Sequence, residues 1–230
     1  MKVALLQHTP DPELTVALAA RLCYSPAAIE ELRERLSTAD TTAFLDKIMS
    51  LGHQSVLEHA SFTFGIEGIS RATSHQLVRH RLASYSQQSQ RYVTFKGDDF
   101  PKVVPDSIAA SERRQQLFDE AMLACAKAYR ALVDDGVPAE DARYALPNAA
   151  ETKILVTMNG RELLHFFALR CCERAQWEIR AMATEMLKLV KPVAPIIFRD
   201  AGPGCVNGPC PEGNMTCGKI KEVRERFRIM

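Results

Sequence analysis

The sequence predicts a single α+β domain with a central, largely antiparallel sheet flanked by long helices. Three observations carry that expectation: a few short strand-like runs stand among longer amphipathic stretches, no internal repeat occurs, and no low-complexity stretch or long linker divides the chain. At 230 residues, 47% hydrophobic and 25% charged, the chain can bury a core. The domain is expected over residues 1–201, and residues 202–230 read as a Gly, Pro and Cys-rich C-terminal extension.

In chain order, Lys2 to Gln7 reads as a short buried strand. Pro12 to Tyr24 reads as a helix with Leu14, Ala17, Leu18 and Leu22 on one face. Helices follow over Pro26 to Leu36 and Thr42 to Leu51, the latter stopped by Gly52. In Ser61 to Ile66, Phe62 and Phe64 alternate with small or polar neighbours, which predicts a strand leading into a helix over Ser70 to Arg81. Tyr92 to Phe95 is a further strand candidate. Pro105 to Asp135 predicts one long helix closed by Gly136 and Pro138, and Pro138 to Tyr144 a short one. Thr152 to Met158 reads as a strand. Asn159 then caps a helix, with Glu162 three residues on as in a capping box, and that helix is expected to run to Lys191 before Pro192.

A formal net charge of +1 gives no global attraction to nucleic acid or a membrane. The N-terminal apolar run, Val3 to Leu6, is too short for a signal segment, and nothing approaches a membrane-spanning length, so a cytoplasmic location is expected. Seven cysteines, two of them adjacent at Cys171 and Cys172, suit reduced thiols better than a disulfide framework.

One segment departs from the even charge. From Gly68 to Gly97 there is no acidic residue, where an even distribution would put between three and four, and the window holds Arg71, Arg79, Arg81, Arg91, Lys96, His75 and His80. On a continuous helix His75 and Arg79, and Gln76 and His80, would form two polar ridges. The following Ser84, Ser86, Gln87, Gln88, Ser89 and Gln90 offer donors suited to phosphate oxygens, and Arg91 offers a bidentate clamp. A solvated basic helix with a polar loop explains the composition equally well. A nucleic-acid groove is a third reading, against which stand sparse aromatics, Tyr85 and Tyr92, and no overall basic excess.

The string RHRLASYSQQSQRY resembles the signature of the flavin-dependent thymidylate synthases, fixing Arg79, His80, Arg81, Ser84, Ser89, Arg91 and Tyr92. GHQSVLEHASFTF around Glu58 and His59, DARYALP with Arg143, NGRELLHFFALRCCERAQWEI and ARLCYS near Cys23 are similar to further segments of that family. The resemblance implies reductive methylation of dUMP to dTMP, with methylenetetrahydrofolate as one-carbon donor and NADPH as reductant through FAD. It assigns FAD to Ser55, Glu58, Arg79, His80, Arg81, Asn159, Arg161 and His165. It assigns dUMP to Gln76, Gln87, Gln88, Ser89, Arg91, Arg143 and Arg170, with Arg170 activating the uracil. A homotetramer with shared sites is implied as well. Arg174 stands where some relatives have a histidine, and His165 where some have asparagine.

C5 of uracil is a poor nucleophile until charge is drawn into the ring. A cysteine adding to C6 would supply that, but none of the seven falls in the signature segment. Ser89 has no evident base to activate it and is expected to bind dUMP. Arg161 and Arg170 are nine residues apart, half a turn off whole turns, so one helix could show them to different ligands. His53 and His59 lack metal spacing, and Cys205, Cys210 and Cys217 lack paired zinc spacing, so no catalytic metal is expected, although a three-thiolate site stays open. A nucleic-acid module and a flavoprotein reductase indifferent to dUMP remain the rival classes.

Overall fold

The structure, a computed structural model, describes residues 1–95, 97 and 99–230. It is α+β, with one antiparallel four-stranded sheet in the order β1-β2-β4-β3. The strands are β1 Lys2–His8, β2 Ser61–Ser70, β3 Ala83–Gln87 and β4 Glu151–Asn159. The first helices are α1 Pro12–Leu22, α2 Ile29–Ser37, α3 Thr42–Ser50 and α4 Arg71–Leu77. They are followed by α5 Asp106–Ala109, α6 Glu112–Asp134, α7 Ala139–Ala142, α8 Gly160–Arg170, α9 Trp177–Val190 and α10 Ile220–Arg228. No described helix is long and apolar enough to cross a membrane.

The strands form where the sequence alternates. Phe62, Phe64 and Ile66 of β2, and Thr152, Ile154, Val156 and Met158 of β4, are all buried, so the period of two puts one face of each strand inside. Pro12 stands in the first turn of α1, where its missing N–H costs nothing. Gly52 ends α3 with φ 70°, a conformation glycine adopts without strain.

Several elements differ from the sequence expectation. Residues 92–95 are not a strand but follow a turn, in which the Val93 N–H donates to the Ser89 carbonyl at 3.0 Å. Lys96 of the basic window lies outside the described residues. The helix expected over Ser70 to Arg81 stops at Leu77, so the two polar ridges do not form, and the polar run after it is β3 rather than a loop. The long helix expected from Pro105 is two, because Ala110 and Ser111 interrupt it. The helix expected to reach Lys191 is also two. The Gln176 side chain accepts from the Glu178 and Ile179 N–H groups at 3.0 and 3.1 Å and starts α9 afresh. Glu173 in the break accepts from Arg180 at 3.0 Å and pairs with Arg226.

The chain divides into two compact units. The first comprises Met1–Lys2, Ile66–Arg79 and Tyr85–Leu155, the second Val3–Gly65, His80–Ser84 and Val156–Met230. The core of the first gathers Phe100, Met122, Ala126 and Ala150, with Phe95, Phe118 and Leu146 packed against them. The second is built on Phe62, Phe166, Phe167 and Phe198, in edge-to-face pairs with ring centroids 5.4 to 6.0 Å apart. Residues 202–219 run through turns. After them α10 buries Val223 and Phe227 one turn apart, and Arg224 donates to the carbonyls of Cys205 and Gly208 at 2.8 and 2.7 Å.

Candidate active site

In the first unit α4 fixes the geometry. Ser70 caps it, its Oγ accepting the Thr73 N–H at 3.1 Å, and the next two N–H groups, of Arg71 and Ala72, donate to the carbonyls of Ala150 and Asn148 at 3.0 and 3.1 Å. The helix start is thereby anchored beside residues 143–150. Between them opens a cavity of about 750 Å³ lined by Arg71, Ser74, His75, Gln87, Gln90, Arg143, Tyr144 and Asn148 among others. That volume suits a small ligand. Gln87 crosses its floor, donating to the hydroxyls of Ser74 and Thr152 at 2.8 and 3.2 Å.

The cavity is electropositive. Burial, and then the neighbouring Arg143 guanidinium, push the Arg71 pKa down from its ordinary value, so two like charges are held close together. Arg71 Nε and Gln90 Nε2 are buried with no hydrogen-bond partner among the described residues. Orphaned buried donors are rare in folded proteins, and a ligand carrying acceptor oxygens would satisfy both.

In the second unit the start of α8 organises another group. Asn159 accepts the Glu162 N–H at 2.9 Å, and the Gly160 N–H donates to the Ala60 carbonyl at 2.8 Å. A Cβ on Gly160 would meet the Leu57 carbonyl at 3.0 Å, so this close approach needs glycine. Arg161 donates to Glu58 at 2.6 Å on the surface. On the inner side, His80 lies with its Nδ1 3.1 Å from Glu162 Oε1, and Arg170 Nε donates to its Nε2 at 2.9 Å. The imidazole packs edge-on to Phe166 at 4.9 Å and beside His165 at 5.9 Å. Burial lowers the His80 pKa below its ordinary value, against the hydrogen bond to Glu162, while Arg170 and His165 lower it further. Burial lowers the Arg170 pKa as well.

Of the residues expected to meet dUMP, Gln87 and Arg143 line the first unit's cavity. Gln76 turns back onto its own helix, donating to the Ala72 carbonyl at 3.5 Å, and Gln88 is held through its backbone, its N–H on the Lys153 carbonyl at 2.9 Å. Ser89 closes a local turn by accepting the Arg91 N–H at 3.1 Å, and Arg91 forms an exposed ion pair with Glu140. Arg170 belongs to the second unit. Among those expected to meet FAD, Glu58 and Arg161 are paired, Asn159 is the cap of α8, and His80 is buried. Ser55, Arg79, Arg81 and His165 are exposed. Sequence reasoning did not single out Arg71 or Glu162 as site residues. The acid-free window contained the signal for the first, whereas Glu162 read only as a capping-box residue.

The cysteines take varied positions. Burial pushes the Cys171 thiol up to about 12, so it stays protonated near neutral pH. Burial also raises Cys205.

Comparison with known proteins shows the family. Residues 4–196 match the family described as thymidylate synthase complementing protein. A protein of Geobacter sulfurreducens named flavin-dependent thymidylate synthase is 79% identical over 230 residues, covering 100% of this chain and 99% of its own. Proteins of the same name from Clostridium tetani and Pyrococcus horikoshii are 51% and 45% identical, each covering 99% of this chain and 97% of their own. With residues 4–196 matched by the family model and relatives of that name matched over nearly the whole chain, one assignment follows: the chain belongs to the flavin-dependent thymidylate synthase family.

Proposed function

We propose that this protein is a cytoplasmic flavin-dependent thymidylate synthase that methylates dUMP to dTMP, using methylenetetrahydrofolate, NADPH and FAD. The observation carrying the reading is the first unit's cavity, in which Arg71 and Arg143 stand together and the donors Arg71 Nε and Gln90 Nε2 lack partners. A nucleotide phosphate brings the negative charge and acceptor oxygens that this arrangement lacks. A duplex groove would need a broad basic face, and a net charge of +1 does not supply one.

The donor set of the second unit fits FAD. Arg81 and Arg161 are exposed guanidiniums suited to a pyrophosphate, and Ser55, Asn159 and His165 add polar groups. When bound, FAD supplies the hydride and the one-carbon relay that no side chain can. The chain's own residues bind and polarise. Arg143 and Arg91 hold phosphate, and Gln76, Gln87, Gln88 and Ser89 orient the nucleotide. Arg170 stabilises the negative charge drawn into the uracil, which makes C5 nucleophilic without a covalent adduct. The exposed Tyr144 and Leu82 suit burial between subunits, in keeping with a homotetramer of shared sites.

The test is spectroscopic. The purified protein, reconstituted with FAD, is reduced anaerobically by NADPH with and without dUMP. Bleaching that responds to dUMP supports the synthase, and bleaching indifferent to it favours a general reductase. Arg170→Ala is expected to bind FAD normally while losing turnover by a hundredfold or more, on the order of the loss for one preorganised electrostatic donor. An unchanged rate would remove Arg170 from the mechanism.

A further inference from the structure

Arg170 is half-buried, yet among the described residues it pairs with no carboxylate. Its Nε–H points at the imidazole of His80, and only beyond that ring stands the buried Glu162. Hydrogen-bond chemistry fixes the state of the ring. A guanidinium has donors only, so Nε2 must carry a lone pair to accept from Arg170. The ring's one proton then sits on Nδ1 and is donated to the Glu162 carboxylate, which accepts only. His80 is therefore neutral, in the Nδ1–H form, with a negative and a positive group at its two ends.

We propose that Glu162 and His80 act as a positioning relay for Arg170, the carboxylate setting the imidazole tautomer and the imidazole setting the direction of the guanidinium. The inference deepens the synthase reading and rests on it for its functional meaning, since it assigns His80 a role exerted through Arg170. Anchoring Nε leaves the terminal nitrogens as the planar fork able to meet a uracil carbonyl. The relay also switches with pH. Adding a proton to Nε2 turns the acceptor into a donor and sets a cation against Arg170, so the guanidinium is released. Among the titratable and charged groups acting on His80 are Glu162, Arg170 and His165, all on α8. The ring is buried and packs in a T-shaped contact with Phe166 at 4.9 Å, which limits the access of water to its partners.

Nitrogen NMR on the full chain labelled in histidine and arginine tests this without any ligand. His80 is assigned by the loss of its signals in His80→Gln, and Arg170 Nε by their loss in Arg170→Lys. At neutral pH, His80 is expected with Nδ1 protonated and Nε2 bare. An Nε2–H tautomer or an imidazolium overturns the relay. On acidification the Arg170 Nε signal is expected to move with the midpoint of His80, and an Arg170 signal indifferent to that midpoint overturns it equally. Glu162→Gln removes the partner that favours the charged ring, so the His80 midpoint is expected to fall, and an unmoved midpoint counts against the relay. Should that variant not fold, the wild-type tautomer and titration still decide. None of these readings depends on turnover, so failure of the synthase reading and failure of the relay remain distinguishable. In the active enzyme, the acid limb of turnover is expected to follow the His80 midpoint. A limb that stays put while that midpoint shifts would take His80 out of the reaction.

Discussion

Asn159 shows how one side chain can be legible for one task and opaque for another. Its cap on the Glu162 N–H is a contact three residues long, visible from the order Asn, Gly, Arg, Glu alone. Its expected place beside FAD depends on residues far away in sequence. Asn159→Ala is expected to lower the unfolding free energy by about 1 kcal/mol, read from urea denaturation of the cofactor-free protein. The same contrast holds for Glu162, whose backbone belongs to the cap while its carboxylate reaches a histidine 82 positions earlier. Nothing local in the sequence announces that second contact. Arg71 lies between these cases. The absence of acids around it is local and legible, but its confrontation with Arg143, 72 residues on, emerges only when the chain folds.

Elements defined by a strong period were legible. The alternation in β2 and β4 and the apolar ladder of Met122, Ala126 and Tyr129 in α6 place those elements where the sequence puts them. Elements decided by tertiary partners were not. β3, with the sequence ASYSQ, carries no large aliphatic side chain, and pairing with a neighbouring strand, not burial of apolar side chains, makes Ala83–Gln87 extended. The break between α8 and α9 contains neither Gly nor Pro. It is set by a cap from Gln176 and by the arginines that hold Glu173. At α10 the decisive contact is steric: a Cβ on Gly202, whose φ is 154°, would lie 2.8 Å from the Phe227 ring. Gly202→Ala is therefore expected to cost about 1–3 kcal/mol by overpacking. The loss would appear as a lowered Tm, and Phe227→Leu is expected to relieve part of it.

For the molecule as a whole, the His80 shift becomes a dependence of stability on pH. Its folded pKa is depressed below the unfolded value of about 6.5, so the unfolded chain binds more protons in between, and stability rises with pH across that window. The contribution is complete above the unfolded value and is lost as pH falls through the folded one. Urea denaturation at about pH 7.5 and about pH 5.5 is expected to show lower stability at the acidic end, with the difference reduced in His80→Gln, which cannot charge. The cysteines extend the same view. Cys171 and Cys172 are neighbours in the chain, yet one thiol is sealed and strongly protonated while the other is half-buried. Alkylation of Cys171 therefore requires the α8–α9 junction to open, and its rate at low reagent excess reports how often that happens. Because Cys171 follows Arg170 directly, a ligand that engages Arg170 should slow its modification while leaving that of exposed Cys23 unchanged, a difference that peptide mass spectrometry can read. The chain thus carries its own footprinting probe, one peptide bond away from the arginine proposed to activate the uracil.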